Sequence, residues 1–274
     1  MQNTIIASKS LRGGGLDSAG GLFHASGLPR SAFTLAEVLI TLSIIGIVAA
    51  MTLPALIQKK QDKELISMTR KVYADINNAF LLSQQDYGVI GDNSFLFNAT
   101  DNALTIAKNL AKYFNGAKVC EKPSQKGCSQ YYYELNYATK RYGSDDTLEA
   151  YSNSNPRIIL NNGAIIGIQT NKSGCQVREY EAIDYDENGL VIKNPDGTVS
   201  THTYLSSNCG NLTFDVNGNK KPNQFGRDAY GFWVRRNKIE PSADYLGGNS
   251  LKNILTGKDK LEYTSYTKGQ KFEF

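Results

Sequence analysis

Residues Ser31–Ile57 read SAFTLAEVLITLSIIGIVAAMTLPALI, and this stretch constrains what the rest of the chain can be. The twenty residues from Val38 to Ile57 carry no charge, and a helix of about that length crosses a bilayer. A secretory signal peptide is the nearest alternative, but its apolar core is only about 7–15 residues long. The stretch therefore predicts a membrane-spanning helix near the N-terminus.

An apolar stripe beyond this stretch extends the predicted helix. Its members recur every three or four residues, as on one face of an α-helix, at Leu65, Met68, Val72, Ile76 and Phe80. Gly88 is a plausible stop, so we predict one helix from about Phe33 to about Tyr87. Pro54 lies inside it and predicts local bending after Ala50. The polar residues expected to face elsewhere are Lys63, Arg70, Lys71, Asp75 and Gln84.

Glu37 lies just before the uncharged run, and the presence of an acid at this position needs a physical explanation. An ionisable group at membrane depth is costly and is by default a candidate functional residue. The alternative is an interfacial acid at the helix N-terminus, where the helix dipole favours negative charge. The position of Glu37 alone leaves both interpretations open.

The residues around Glu37 form a recognisable pattern. A basic residue and a small residue precede Phe-Thr-Leu-Ala-Glu and the long apolar run, over Arg30–Glu37 as RSAFTLAE. This pattern resembles the prepilin processing signal of bacterial type IV pilins and type II secretion pseudopilins. Pro54 also lies where that family's long helix carries its characteristic proline. The resemblance covers Arg30 to Leu56, about a tenth of the chain.

The resemblance implies a processing reaction and an assembly contact. A membrane-embedded prepilin peptidase would cut between Ala32 and Phe33 and would then methylate the α-amine of Phe33. The Glu37 carboxylate would pair with the Phe33 α-amine of a neighbouring subunit, which neutralises two charges that lipid disfavours. Two features depart from the family pattern: Ala32 stands where glycine is usual, and the leader of 32 residues is long.

The predicted organisation has four segments. Residues 1–32 form the leader that is removed, 33–57 the transmembrane and filament-core half of the helix, 58–88 its amphipathic half, and 89–274 a soluble globular domain. Lysines and arginines are concentrated after the span, so a positive-inside count would place this domain in the cytoplasm. The resemblance and the cysteines instead predict a single-pass protein of the bacterial inner membrane with its domain outside the cytoplasm.

Four cysteines all lie after the apolar segment, at Cys120, Cys128, Cys175 and Cys209. An even number outside the cytosol indicates two disulfides with three possible pairings. Cys120–Cys128 and Cys175–Cys209 are favoured because each closes a local loop. A zinc cluster would need tighter C-x-x-C spacing, which this sequence lacks.

The remaining sequence predicts an α+β, pilin-like fold. A helix is expected over Asn102–Phe114, capped by Thr100 or Asp101. The Asn-Asn-Gly turn at 161–163 predicts a hairpin. With further strands at Asn211–Val216 and Ala229–Arg235, an antiparallel sheet of about four strands would pack on the long helix. The tail after Asn237 has no predicted place.

One loop could bind a cation. Residues 215–228 read DVNGNKKPNQFGRD, and Asp215, Asn217, Asn219 and Asp228 offer the hard oxygen ligands that calcium prefers. An EF-hand would need glycine at the sixth position and glutamate at the twelfth, where this loop has Lys220 and Gly226. The alternative is a simple connection between two strands.

Composition excludes several other functions. Two histidines leave little for a His-based metal site or a catalytic triad, and a net charge of +4 argues against a dedicated nucleic-acid binder. The prediction is a structural, non-enzymatic filament subunit without a cofactor other than possible calcium. Its partners would be its own copies or other pilins, prepilin peptidase and the inner-membrane assembly platform. The alternative is an adhesive or DNA-capturing minor pilin at a filament tip; a membrane-anchored periplasmic enzyme is the least favoured class.

Overall fold

The computed structural model describes residues 34–140, 147–171, 174–186 and 190–271. The chain divides into two compact units, residues 1–52 and 53–274, and helix α1 (Leu35–Asp86) contributes to both. The first unit is described from residue 34 and consists of the apolar start of α1. The predicted leader, residues 1–32, and the predicted helix start at Phe33 lie outside the described residues.

The second unit is built on the polar half of α1. The predicted apolar stripe faces the core: Leu65, Val72, Ile76 and Phe80 are buried, and Met68 is partly buried. The helix ends at Asp86, and Gly88 follows in a left-handed conformation with φ of 69°, where glycine meets no steric penalty.

Ten strands, two further α-helices and two single-turn 3-10 helices, Ser129–Tyr131 and Asp244–Leu246, complete the described part of this unit. The α-helices are α2 (Ala103–Ala111) and α3 (Gly248–Leu255). The strands are β1 (Lys118–Cys120), β2 (Leu135–Asn136), β3 (Ala150–Tyr151), β4 (Arg157–Ile159), β5 (Ile165–Thr170), β6 (Val177–Ile183), β7 (Thr201–Ser207), β8 (Gly210–Asp215), β9 (Ala229–Val234) and β10 (Ile239–Pro241).

Six of these strands form one antiparallel sheet in the order β1-β4-β5-β8-β9-β10. The hairpin predicted from Asn-Asn-Gly is β4–β5, with Ile158 opposite Ile166. The central strands β5 and β8 pair over six residues, from Ile165 opposite Asp215 to Thr170 opposite Gly210. The expectation of about four strands was too low, because the edge strands β1 and β10 are only three residues long.

The main core lies between this sheet, α1 and α2. Phe214, Tyr230 and Phe232 on β8 and β9 are essentially inaccessible, and the ring of Tyr73 on α1 meets Phe232 edge-on at 6.3 Å. Aromatic packing of this kind joins the helix to the sheet and removes large apolar areas from water. The predicted α+β class, a long helix packed on an antiparallel sheet with disulfides in the C-terminal part, is confirmed.

Two predictions about local structure were wrong. Helix α2 is capped by Asn102, whose side-chain oxygen accepts the Thr105 N–H at 2.9 Å, and not by Thr100 or Asp101. Gln84, expected on the solvent side of α1, is buried because its Nε2 donates to Asn93 Oδ1 at 2.8 Å. This pairing satisfies two buried amides at once, as burial requires.

Strands β6 and β7 form a separate two-stranded sheet that the sequence did not predict. We call residues 177–207 the β6–β7 arm, described except for 187–189. Its apolar side chains are unusually open to solvent, with Leu205 74% and Leu190 66% exposed. An isolated hairpin is marginally stable in water, so the arm depends on its attachment to the sheet.

Candidate processing and assembly segment

The apolar start of α1 is covered by nothing within its own unit. Every described residue from Thr34 to Val48 is exposed, and none of the most apolar part of the helix is buried. Of the described helices, α1 alone is long and apolar enough to cross a membrane. Such a surface needs lipid or the apolar faces of other helices around it.

Thr34 and Glu37 close the first turn of α1 reciprocally. The Glu37 Oε2 accepts the backbone N–H of Thr34 at 2.8 Å and the Thr34 hydroxyl at 2.9 Å. In return, the Thr34 Oγ1 accepts the Glu37 N–H at 3.2 Å. This is a capping box, which satisfies backbone donors that a helix start otherwise leaves without partners.

The polar side chains within the apolar run are satisfied by the helix itself. The hydroxyls of Thr41, Ser43 and Thr52 donate to backbone carbonyls four residues earlier at 2.9, 2.7 and 2.9 Å. Self-satisfied hydroxyls can enter lipid without leaving a donor unpaired. Pro54 lies inside the continuous helix; the predicted bending near it stays a prediction.

The structure places the predicted assembly residue Glu37 at the helix start, as described. The predicted processing residues Ala32 and Phe33 lie outside the described residues, and their roles stay predictions. Sequence reasoning assigned Glu37 to the helix dipole or to assembly and missed its bond to Thr34. The signal was available, because Thr-x-x-Glu before an apolar run is the capping-box spacing.

Comparison with protein families identifies this segment. Residues 29–53 match the model of the prokaryotic N-terminal methylation motif. The chain carries a prepilin-type N-terminus. This motif is the signature of type IV pilin and pseudopilin prepilin signals. A prepilin-type N-terminus implies processing by prepilin peptidase and assembly with other pilins, and together with the apolar helix it fits membrane anchoring and a filament.

The match spans the predicted cleavage point and ends before Pro54, so it concerns the anchor and says nothing of the soluble unit. No significant match to the chain is found among curated proteins or among solved structures. The motif points to a structural protein.

The predicted calcium loop contains two buried acids that the protein itself binds. Asp215 Oδ2 accepts the Tyr133 hydroxyl at 2.9 Å and Oδ1 accepts the Asn217 N–H at 3.0 Å. Asp228 accepts the Asn223 N–H at 2.8 Å on Oδ2 and the Gln224 N–H at 2.7 Å on Oδ1. These bonds close the loop between β8 and β9.

Burial changes the acidity of both carboxyls. Desolvation, and then the neighbouring charge of Asp228, raise the pKa of Asp215 well above its usual range. Desolvation likewise raises the pKa of Asp228 to about 6 against the pull of its two backbone donors. Each charge therefore opposes the other in a site closed to water.

The two acids of the predicted calcium set are engaged by protein donors in this structure. Calcium takes six to eight oxygen ligands, but all four carboxylate oxygens of Asp215 and Asp228 already accept hydrogen bonds. Asn219 is exposed, whereas Asp228 is fully buried. Within the described residues, no group of three or more His, Cys, Asp or Glu side chains could hold a metal. The contacts support the strand connection, and calcium stays a prediction.

The two disulfides staple separate parts of the soluble unit. Cys120 is joined to Cys128 at the end of edge strand β1, and Cys175 is joined to Cys209. The second pair lies just before β6 and just after β7, so it clamps the base of the β6–β7 arm. This is the pairing that the short-loop argument favoured.

Proposed function

We propose that this chain is a minor pilin or pseudopilin, a structural subunit of a bacterial type IV pilus or type II secretion filament. The observation that carries the proposal is the prepilin-type N-terminus joined to an uncovered apolar helix. The chain would be cut between Ala32 and Phe33 and methylated on Phe33. It would await assembly in the inner membrane with its soluble unit outside the cytoplasm.

On assembly, the apolar half of α1 would leave the lipid and pack against the helices of other subunits. The exposed apolar run would pack beside the same segment of other pilins, supplied through the inner-membrane assembly platform. The disulfides support an oxidising location for the soluble unit, because disulfides are rare in a reducing cytosol. The two-stranded arm supports a specialised subunit, since it adds surface that the core of the fold does not use.

The test is intact mass spectrometry of the membrane-extracted protein under non-reducing conditions. The expected product begins at Phe33, carries one added methyl group and retains two disulfides. Ala32→Gly should be cut at least as completely, because a small residue is kept, whereas Ala32→Leu should remain uncut. An uncut wild-type chain with four free thiols would overturn the proposal, as would an Ala32→Leu variant that is cut like wild type.

The β6–β7 arm supports a second candidate, adhesion or DNA capture at a filament tip. Its large exposed apolar side chains are Val177, Ile183, Tyr185, Leu190, Val191, Ile192, Val199, Tyr204 and Leu205. The variant replaces residues 184–200 by an Asn-Gly turn that joins β6 to β7 and leaves the Cys175–Cys209 clamp in place. A tip role predicts normal filaments with lost surface or DNA binding; unchanged binding would contradict it.

A further inference from the structure

A cleft of about 780 Å³ lies where the C-terminal segment crosses α1. Leu56, Lys59, Lys60 and Lys63 line its helix side; their spacing of three, one and three residues places them on one face. Asp259, Lys260, Leu261 and Tyr263 of the C-terminal segment form the opposite side. All of these residues belong to the second unit.

Specific contacts hold the C-terminal wall against the helix. Gln58 Nε2 donates to the Tyr263 hydroxyl at 3.0 Å, and the Arg227 guanidinium lies 5.1 Å from the centre of the Tyr263 ring. Arg70 forms an ion pair with Asp259 at the other end of the wall. Two side chains of α1 and one from the loop between β8 and β9 therefore hold the C-terminal wall of the cleft in place.

The acids of the cleft are already neutralised. Asp62 pairs with Arg227 at 3.3 Å, and Asp259 pairs with Arg70. Lys260 pairs with Glu262 at 3.0 Å. In the described part of the chain, Lys59, Lys60 and Lys63 form no ion pair, and all three are exposed. The cleft thus presents three uncompensated positive charges.

The position of the cleft along the chain matches a membrane surface. The uncharged run ends at Ile57, and Lys59 follows two residues later. In an anchored chain this level is that of the lipid headgroups, where each nearby lysine attracts anionic lipid. Leu56, 64% exposed, and the half-buried Leu261 add apolar surface at the same place.

We propose that this cleft binds the headgroup of an anionic phospholipid. Lys59, Lys60 and Lys63 would contact the phosphate, with Leu56 and Leu261 against the glycerol and upper acyl region. The inference rests on the membrane anchoring in the proposed function. Lipid is favoured over nucleic acid because the charges are few, are joined to apolar side chains and adjoin the span.

The test uses the full chain in neutral detergent micelles and native mass spectrometry, with phosphatidylglycerol or phosphatidylcholine as the probe. Wild type should retain phosphatidylglycerol preferentially. Each Lys→Gln change at 59, 60 or 63 should weaken that retention by about fivefold, and the triple variant by roughly a hundredfold. The matched control changes three exposed lysines elsewhere, Lys71, Lys108 and Lys126, and should retain the lipid like wild type.

Four results would overturn the inference. The first two are no preference for the anionic lipid and an equal loss of lipid retention in the control triple variant. The other two are displacement of the lipid by inorganic phosphate alone, and binding of duplex DNA that depends on the same lysines while lipid binding does not. Carbonate extraction of cell membranes tests anchoring separately. A chain that is extracted by carbonate but binds phosphatidylglycerol in micelles would refute the anchor and support the cleft. An anchored chain without lipid preference would do the reverse.

Discussion

Glu37 and Thr34 satisfy each other at the start of α1, with Glu37 Oε2 2.8 Å from the Thr34 nitrogen and 2.9 Å from its hydroxyl. The same carboxylate is the residue proposed to neutralise the α-amine of Phe33 on a neighbouring subunit. The two roles differ in what they require. The cap needs an oxygen acceptor, which a neutral amide also supplies, whereas the ion pair needs a negative charge.

The first prediction separates these roles with two substitutions. Glu37→Gln keeps an acceptor for Thr34 but removes the charge, so it should be processed normally and yet enter filaments at least about tenfold less well. Thr34→Val keeps the charge and removes the hydroxyl, which weakens the cap by about 1 kcal/mol and should leave incorporation within about twofold of wild type. The measurement is the ratio of sheared filament to membrane-bound protein by quantitative mass spectrometry.

The two variants also show which role is wrong. Normal assembly of Glu37→Gln would contradict the ion pair. Equal loss in both variants would mean that the cap, and not the charge, is what assembly requires.

The second prediction concerns Asp215 and Asp228. Both folded-state pKa values lie above the ordinary value of 3.8, Asp228 at about 6. The folded protein therefore binds protons more tightly than the unfolded chain between about pH 4 and 6. The stabilising contribution of Asp228 is full below about pH 4 and is lost as the pH rises through about 6. That of Asp215 is likewise full below about pH 4 and is lost as the pH rises through its own raised pKa. Lowering the pH from 7 to 5 should raise the midpoint of urea unfolding.

Asp215→Asn should reduce this pH effect without a loss of stability at pH 7. Its amide oxygen can still accept the Asn217 N–H, and its amide nitrogen can donate to Tyr133, while one buried charge is removed.

Asp228→Asn should lower the free energy of unfolding by about 1–3 kcal/mol, because one of the two backbone donors of Asn223 and Gln224 loses its acceptor. Asp196→Asn is the control: the Thr198 hydroxyl and N–H lower the pKa of Asp196, so it cannot supply stabilisation on acidification. An Asp215→Asn variant whose urea midpoint depends on pH as strongly as that of wild type would contradict the assignment of the pH effect to Asp215.

Regular periodicity made part of the fold predictable. The stripe from Leu65 to Phe80 faces the core because its spacing matches the helical turn, and the β4–β5 hairpin follows from its Asn-Asn-Gly turn. These features are local, so a short window of sequence contains the information. The short loops of Cys120–Cys128 and Cys175–Cys209 are local in the same sense.

Features that depend on distant partners were not predictable in this way. Gln84 is buried because its side-chain amide donates to Asn93 Oδ1 and accepts the Gly91 N–H, and both partners lie in the loop after the helix. The tail could not be placed, since its position depends on Arg70, Gln58 and Arg227. The β6–β7 arm was missed because both of its faces are largely exposed, which removes the alternation that indicates a half-buried strand.

The third prediction compares the two disulfides. The chain-entropy model relates the stabilisation to the length of the closed loop, and the sequence separations are 34 for Cys175–Cys209 and 8 for Cys120–Cys128. Replacing both cysteines of a pair by serine should then lower the free energy of unfolding by about 4 kcal/mol for the first pair and about 2.5 kcal/mol for the second. Only the first should expose residues 177–207 to limited proteolysis. The reverse order of stability, or proteolysis of the arm in the second variant, would show that the clamp does not hold the arm.

The fourth prediction tests how closely α3 is packed against the loop before β9. Gly247, immediately before α3, has φ of 76°, and a Cβ there would lie 2.4 Å from the backbone nitrogen of Gly226. Gly257, after α3, has nearly the same φ of 78° but no atom within 4 Å of its would-be Cβ. Gly257→Ala should therefore show the backbone strain alone, about 1–2 kcal/mol. Gly247→Ala should lose about 1–3 kcal/mol more, because neither backbone can move aside without disrupting the turn. Chemical denaturation of the two variants measures the difference, and equal losses would mean that Gly226 and Gly247 are not in close contact in solution.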